Sequence, residues 1–133
     1  MFENLSLTES LSIFFGLYFL AAGLGMLLDR ESIPAMFESM RENQAIGFTM
    51  GLLAFVAGAL VISFHNEWNG VLATIISVFG WIAFLEGLLM LAFRKWFLNT
   101  FAFMVGSSKL IGFFSVFTIL MGALFVLAGM QVI

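Results

Sequence analysis

The chain has 133 residues, 62% of them hydrophobic and only 10% charged, with a formal net charge of −3 and no cysteine. Soluble domains run near half apolar and a quarter charged, so a globule of this length has no interior large enough for such a load of apolar surface. The missing cysteines exclude disulfides, thiolate metal sites and cysteine nucleophiles, and the acidic balance, without a basic cluster, argues against nucleic acid.

Residues 1–10 carry Glu3 and Glu9 and no Lys or Arg. A cleaved signal peptide needs a basic n-region, so this segment reads as the lead-in to a retained span. Asn4-Leu5-Ser6 formally matches a glycosylation acceptor, a short pattern that arises often by chance. The first apolar stretch runs roughly from Ser10 to Leu28, and three more follow, from Ala45 to Phe64, Val71 to Phe93 and Lys109 to Val132. Each is long enough for about 30 Å of hydrocarbon. Each is continuously apolar rather than alternating, which points to helices, since an open sheet cannot satisfy its backbone in lipid.

Arg30 and Arg41 fall between the first two spans, and Arg94, Lys95 and Lys109 fall between the last two or at their edge. The positive-inside rule therefore assigns these loops to the cytoplasm, and both termini and the turn from His65 to Gly70 to the outer side. In the first basic loop Ile33, Met36, Phe37 and Met40 are spaced i, i+3, i+4, i+7, with Ser32 as the expected N-cap and Pro34 in the first turn. Phe97, Phe101 and Met104, joined by Trp96, repeat the stripe in the second loop. Both loops read as short amphipathic helices on the membrane surface.

Sliding the sequence over itself by 64 positions aligns Phe15-Gly16 with Phe79-Gly80, Gly23-Leu24 with Gly87-Leu88, Arg30 with Arg94, Phe37 with Phe101, Met40 with Met104, and Gly58-Ala59-Leu60 with Gly122-Ala123-Leu124. The expected fold is all-α: a single domain over residues 1–133 with four transmembrane helices, as two parallel repeats of a helical hairpin. The first unit covers about residues 10–64 and the second about 71–132, each with a surface helix in its basic loop. Small residues mark the contact faces: Gly47, Gly51, Ala54 and Gly58 on the second span, Gly80, Ala83 and Gly87 on the third, and Gly16, Ala22, Gly23 and Gly25 on the first. These faces are expected to pack mainly within one chain, by letting backbones approach.

Glu86 is the one acid well inside a span. An intramembrane charge costs from about 3 kcal/mol upward, so Glu86 is expected to face a protein interior, an aqueous cavity or a partner, or to stay protonated. It reads either as a polar staple between helices or as a carrier of proton or cation coupling. Ala22 holds the equivalent place in the first half. His65, Asn66, Glu67 and Trp68 form the outward turn, with Trp68 at the interface and His65 and Asn66 expected on helix-end carbonyls. One histidine beside one acid is too few ligands for a metal site, and Ser63 stands two residues from His65, the wrong spacing for a facing nucleophile and base.

The turn His65-Asn66-Glu67-Trp68, followed by Gly80-Trp81 and an apolar run to Glu86-Gly87, resembles a group of small uncharacterised bacterial four-span inner-membrane proteins with an HN-x-W turn and a GW helix. The resemblance covers mainly the second and third spans. It implies a bacterial inner membrane and brings no activity with it. Small four-helix multidrug exporters share this length but use an acid in the first span, where this chain has only Glu9 at the edge. Together the residues lead to an expectation of a non-enzymatic membrane protein without cofactor. It would be a structural or accessory subunit that oligomerises through its glycine faces or docks on a larger membrane complex, the alternative being a small channel or transporter using Glu86.

Overall fold

A computed structural model describes residues 6–131. Asn4 of the glycosylation pattern and Val132, the expected end of the last span, lie outside the described residues. The order is α1 (Leu7–Leu28), α2 (Ser32–Glu42), α3 (Gln44–Phe64), α4 (Val71–Ala92), α5 (Arg94–Phe101), a 3-10 turn (Ala102–Val105) and α6 (Ser108–Gly129), with no strand among the described residues. Helices α1, α3, α4 and α6 are 21 or 22 residues long with a mean hydropathy between 2.1 and 2.5. At 1.5 Å per residue each extends about 32 Å, the thickness of a bilayer core. Four helices long and apolar enough to cross a membrane are the signature of a multi-pass membrane protein.

Local chemistry sets their ends. Ser6 and Glu9 form a reciprocal capping box at the start of α1, Asn43 caps α3 through Ala45 and Ile46, and Ser107 caps α6. Gly70, with φ +103°, provides the left-handed residue that turns the chain into α4. Ser32 is not the cap of α2: it lies inside the helix, and its hydroxyl donates to the Asp29 carbonyl.

α1 lies along α6 and α3 along α4, and α1 also touches α4. The two pairs meet at a ring cluster in which Phe19, Phe79 and Phe125 stand 5.6–5.7 Å apart. The expected hairpins are thus not the packed pairs, because α2 intervenes between α1 and α3 and the small faces of α1 and α3 point to different partners. Glycine brings the pairs together. A Cβ on Gly58 would stand 2.3 Å from the Phe84 nitrogen and 2.8 Å from the Gly80 carbonyl; on Gly122 it would stand 2.7 Å from the Leu20 nitrogen and 2.8 Å from the Gly16 carbonyl. Gly87 meets the backbone of Phe55 and Gly51, and Gly23 that of Ile119 and Ser115. Gly47 lies under Arg94, Gly51 against Met90 and Gly80 against Val61, so the small faces are used within the chain, except at Gly25, which was expected on the contact face of α1 but has nothing within 4 Å of an added Cβ.

Four polar side chains are buried inside the bundle while many large apolar ones face out. Ser12, His65, Ser77 and Ser115 are at most 1% exposed, whereas Phe14, Leu53, Ile82, Leu85, Phe113 and Leu120 are at least half exposed. A soluble protein buries the second set and wets the first. Lipid permits the reverse.

Candidate functional site

The two ends of the bundle differ in charge. α1 begins, α3 ends, α4 begins and α6 ends at one of them, while the opposite end holds α2, α5 and all five basic residues.

At the first end His65 directly follows α3 and is completely buried. Its Nε2 stands 2.6 Å from the Thr8 hydroxyl, which donates to Glu67 Oε2 at 3.0 Å. On the other side of the ring Nδ1 stands 3.3 Å from the Ser77 hydroxyl, which donates to the Glu67 carbonyl at 2.6 Å. Glu67 Oε2 lies 3.6 Å from Nε2. Three helices are tied at one imidazole: α1 through Thr8, the end of α3 through His65 itself, and α4 through Ser77.

The expectation that His65 and Asn66 satisfy helix-end carbonyls holds for His65, through its backbone, and is corrected for Asn66. The carbonyl of Val61 is met by the His65 backbone amide, and Asn66 Oδ1 instead accepts from the Trp68 indole at 2.9 Å. Trp68 is half exposed, as an interfacial ring is. Thr8 and Ser77 are the partners that sequence reasoning missed. Their only signal was a hydroxyl in an apolar helix, and nothing local pairs residues 57 positions apart. Ser, His and Glu side by side suggest nucleophilic chemistry, yet Ser77 is 1% exposed and its proton goes to a carbonyl. A nucleophile has to reach substrate, and this hydroxyl closes a turn. Among the described residues no three metal-ligating side chains come together. Beside the cluster, Gln131 donates to Glu9, joining the end of α6 to the first turn of α1.

Glu86 stands six residues before the end of α4, about 9 Å along the axis. It is exposed, next to Ile82 at 50% and Leu85 at 52% exposure. The buried stripe of α4 is Ala73, Ile76, Ser77, Gly80, Gly87 and Met90, and Glu86 lies off that stripe. Of the three surroundings expected for this acid, the interior of its own chain is not the one found. The packing of α4 explains why: Gly87 takes the inward position against Phe55 and turns the preceding residue aside.

At the basic end α2 and α5 touch, and Arg41 donates to Asn99 at 2.7 Å. Leu98 is buried beneath α5 at 1% exposure, while Trp96 stays outside at 57%. The Phe97 and Phe101 rings lie 4.8 Å apart, tilted by 46°. Arg94 donates to the Met40 carbonyl at 3.2 Å, and its stem lies on Gly47.

The comparisons with known proteins come back empty. No family model, curated protein or solved structure matches this chain. Its function has to be argued from these two ends and from the acid on α4.

Proposed function

We propose that this chain is a non-enzymatic membrane subunit that assembles laterally, as a homo-oligomer or within a larger membrane complex, through the face of α4 that carries Glu86. The observation behind this reading is an acid on the outer surface of a spanning helix, flanked by Ile82 and Leu85. Facing lipid alone, that carboxyl would cost from about 3 kcal/mol upward if ionised. A neighbouring helix with a hydroxyl, an amide or a cation offers it a partner. Apart from Gly25, the glycine faces are already occupied inside the chain, so the assembly surface around Glu86 is bulky and apolar rather than small.

The same reading takes the chain as two copies of span, surface helix and span. Support comes from the glycine contacts: Gly58 with Gly80 and Phe84, and Gly122 with Gly16 and Leu20, are one contact displaced by 64 positions. The same holds for Gly87 with Gly51 and Phe55 against Gly23 with Ser115 and Ile119. Related by an axis along the membrane normal, the halves are parallel repeats. α2 and α5 lie in the membrane surface on the cytoplasmic side, where the five basic residues belong, and both termini lie outside. A bacterial inner membrane follows from the resemblance of the His65–Trp68 turn and Gly80-Trp81 to the four-span group.

In the second reading, a small channel or transporter, Glu86 lines a path. Since it lies outside the four-helix unit, such a path runs between copies and also needs assembly. Glu86→Gln separates the two. Loss of a proteoliposome flux with assembly intact refutes the subunit reading, whereas loss of assembly with no flux under any gradient refutes the transporter. Reporter fusions to each terminus test the orientation, and a terminus found inside the cell contradicts it.

A further inference from the structure

At the basic end an open cleft of about 480 Å³ separates the start of α3 from the end of α4, lined by Gln44, Ala45, Phe48, Met90, Leu91 and Arg94. Its volume is within the range of about 300–1,000 Å³ common to small-molecule sites. Five of its six lining residues are uncharged and the sixth is a guanidinium; no acid lines it. Arg94 makes one hydrogen bond, to the Met40 carbonyl, and no ion pair among the described residues. Four of its five N–H donors are therefore free for a ligand. The stem is held in place: a Cβ on Gly47 would stand 2.5 Å from Arg94 Cδ, so only glycine leaves room for it against α3. The first amides of α3 are already taken by the Asn43 side chain, so the helix terminus is not what would draw the ligand.

We propose that this cleft binds an anionic phospholipid, with the phosphodiester on Arg94 and one acyl chain along Phe48 and Leu91. Guanidinium groups match phosphate oxygens in a two-pronged geometry, and basic pockets between spanning helices are the form that headgroup sites take. Phe48 is 56% exposed, so the apolar wall runs out of the cleft onto the lipid-facing surface, which a free anion does not need. Trp96, outside on α5, marks the headgroup level beside it. The corresponding cleft in the other half shows what the site requires. It contains Arg30, but it is smaller, about 170 Å³, and Glu31 lines it. An acid at the mouth and a smaller volume disfavour an anionic headgroup there.

The test uses the full chain in neutral detergent, titrated with short-chain phosphatidylglycerol, short-chain phosphatidylcholine and inorganic phosphate, with bound lipid read by native mass spectrometry. Phosphatidylglycerol binds at one site per chain, and Arg94→Gln weakens it about five- to tenfold, the loss of one basic contact at the membrane surface or somewhat more. Lys109→Gln removes the same charge from the start of α6, outside the cleft, and changes binding less than about twofold. Ala45→Trp fills the cleft from an exposed position and abolishes the one-lipid species while leaving Arg94 in place. Equal weakening by Arg94→Gln and Lys109→Gln makes the effect general surface charge and overturns the site. So does binding of phosphatidylcholine as tightly as phosphatidylglycerol. Inorganic phosphate that competes at the same concentration as the lipid makes the ligand a free anion and overturns the lipid assignment. Should Arg94→Gln not fold, unchanged lipid retention by Ala45→Trp overturns the proposal by itself.

Discussion

Replacing Gly58 with alanine tests the helix packing where it is tightest. The added methyl group would stand 2.3 Å from the Phe84 nitrogen and 2.6 Å from its Cα, where an ordinary contact begins at 3.4 Å. Both atoms are backbone and cannot rotate away, so α3 and α4 have to part by about 1 Å along their contact. Overpacking of this kind costs about 1–3 kcal/mol, and rigid neighbours place it in the upper half. Alanine returns up to about 1 kcal/mol in helix propensity, leaving a net loss of about 1–2 kcal/mol. Gly25 is the control, because nothing lies within 4 Å of its added Cβ. Gly25→Ala keeps the propensity gain alone and leaves stability unchanged or raised by up to about 1 kcal/mol. Gly122→Ala meets its nearest atom at 2.7 Å and falls between the two. Reversible unfolding in mixed micelles, followed by tryptophan fluorescence, gives the ranking. If Gly58→Ala is as stable as the wild type, or Gly25→Ala loses as much, the close approach of these backbones is wrong.

The other expectations concern the polar contacts. His65→Ala removes the buried ring shared by the Thr8 and Ser77 hydroxyls, which keep their bonds to Glu67, and destabilises by about 0.5–3 kcal/mol, whereas Asn66→Ala, in the exposed turn, changes stability by less than about 0.5 kcal/mol. A double-mutant cycle of Thr8→Val with His65→Ala should give a coupling of at least about 0.5 kcal/mol; strict additivity would mean that α1 is not tied to the turn. Ser12→Ala removes a buried hydrogen bond of 2.6 Å to the Phe125 carbonyl and costs about 0.6 kcal/mol, with about 1.7 as the ceiling for such contacts between spanning helices. Arg41→Ala breaks an exposed bond to Asn99, so it costs less than about 1 kcal/mol and its trace is faster amide exchange in α2 and α5 with unchanged global stability.

How much of this was legible in the sequence depended on the range of the cause. Span length and apolarity are local, and Leu28, Phe64 and Val71 are helix ends in the structure as they are in the sequence. Ile33, Met36, Phe37 and Met40 fall within α2 because i, i+3, i+4 spacing is set by one helix alone, but of the stripe in the second loop only Phe97 and Phe101 fall within α5, and Met104 stands in the 3-10 turn that follows. Glycine spacing marked the faces but not their partners: Gly16 and Gly122 look alike in composition, and only the assembled bundle puts one against the other. His65 followed an apolar span into a polar turn and read as a helix-end cap; its burial needs Thr8 from α1 and Ser77 from α4, which the sequence does not align. The placement of Glu86 was unreadable for a related reason. Its neighbour Gly87 occupies the inward position, and whether an acid beside a glycine turns in or out is decided by the crossing of α3 and α4.

Lateral assembly over the Glu86 face is tested most directly by cross-linking, because the chain has no cysteine of its own. A single Leu85→Cys variant, at a position 52% exposed beside Glu86, is oxidised in native membranes with a lipid-permeant reagent, and Leu53→Cys on α3, 58% exposed, is treated alongside. The account predicts a covalent species heavier than the 14.7 kDa chain from Leu85→Cys and none from Leu53→Cys. A single chain at 14.7 kDa from both, or equal cross-linking at both, would contradict it.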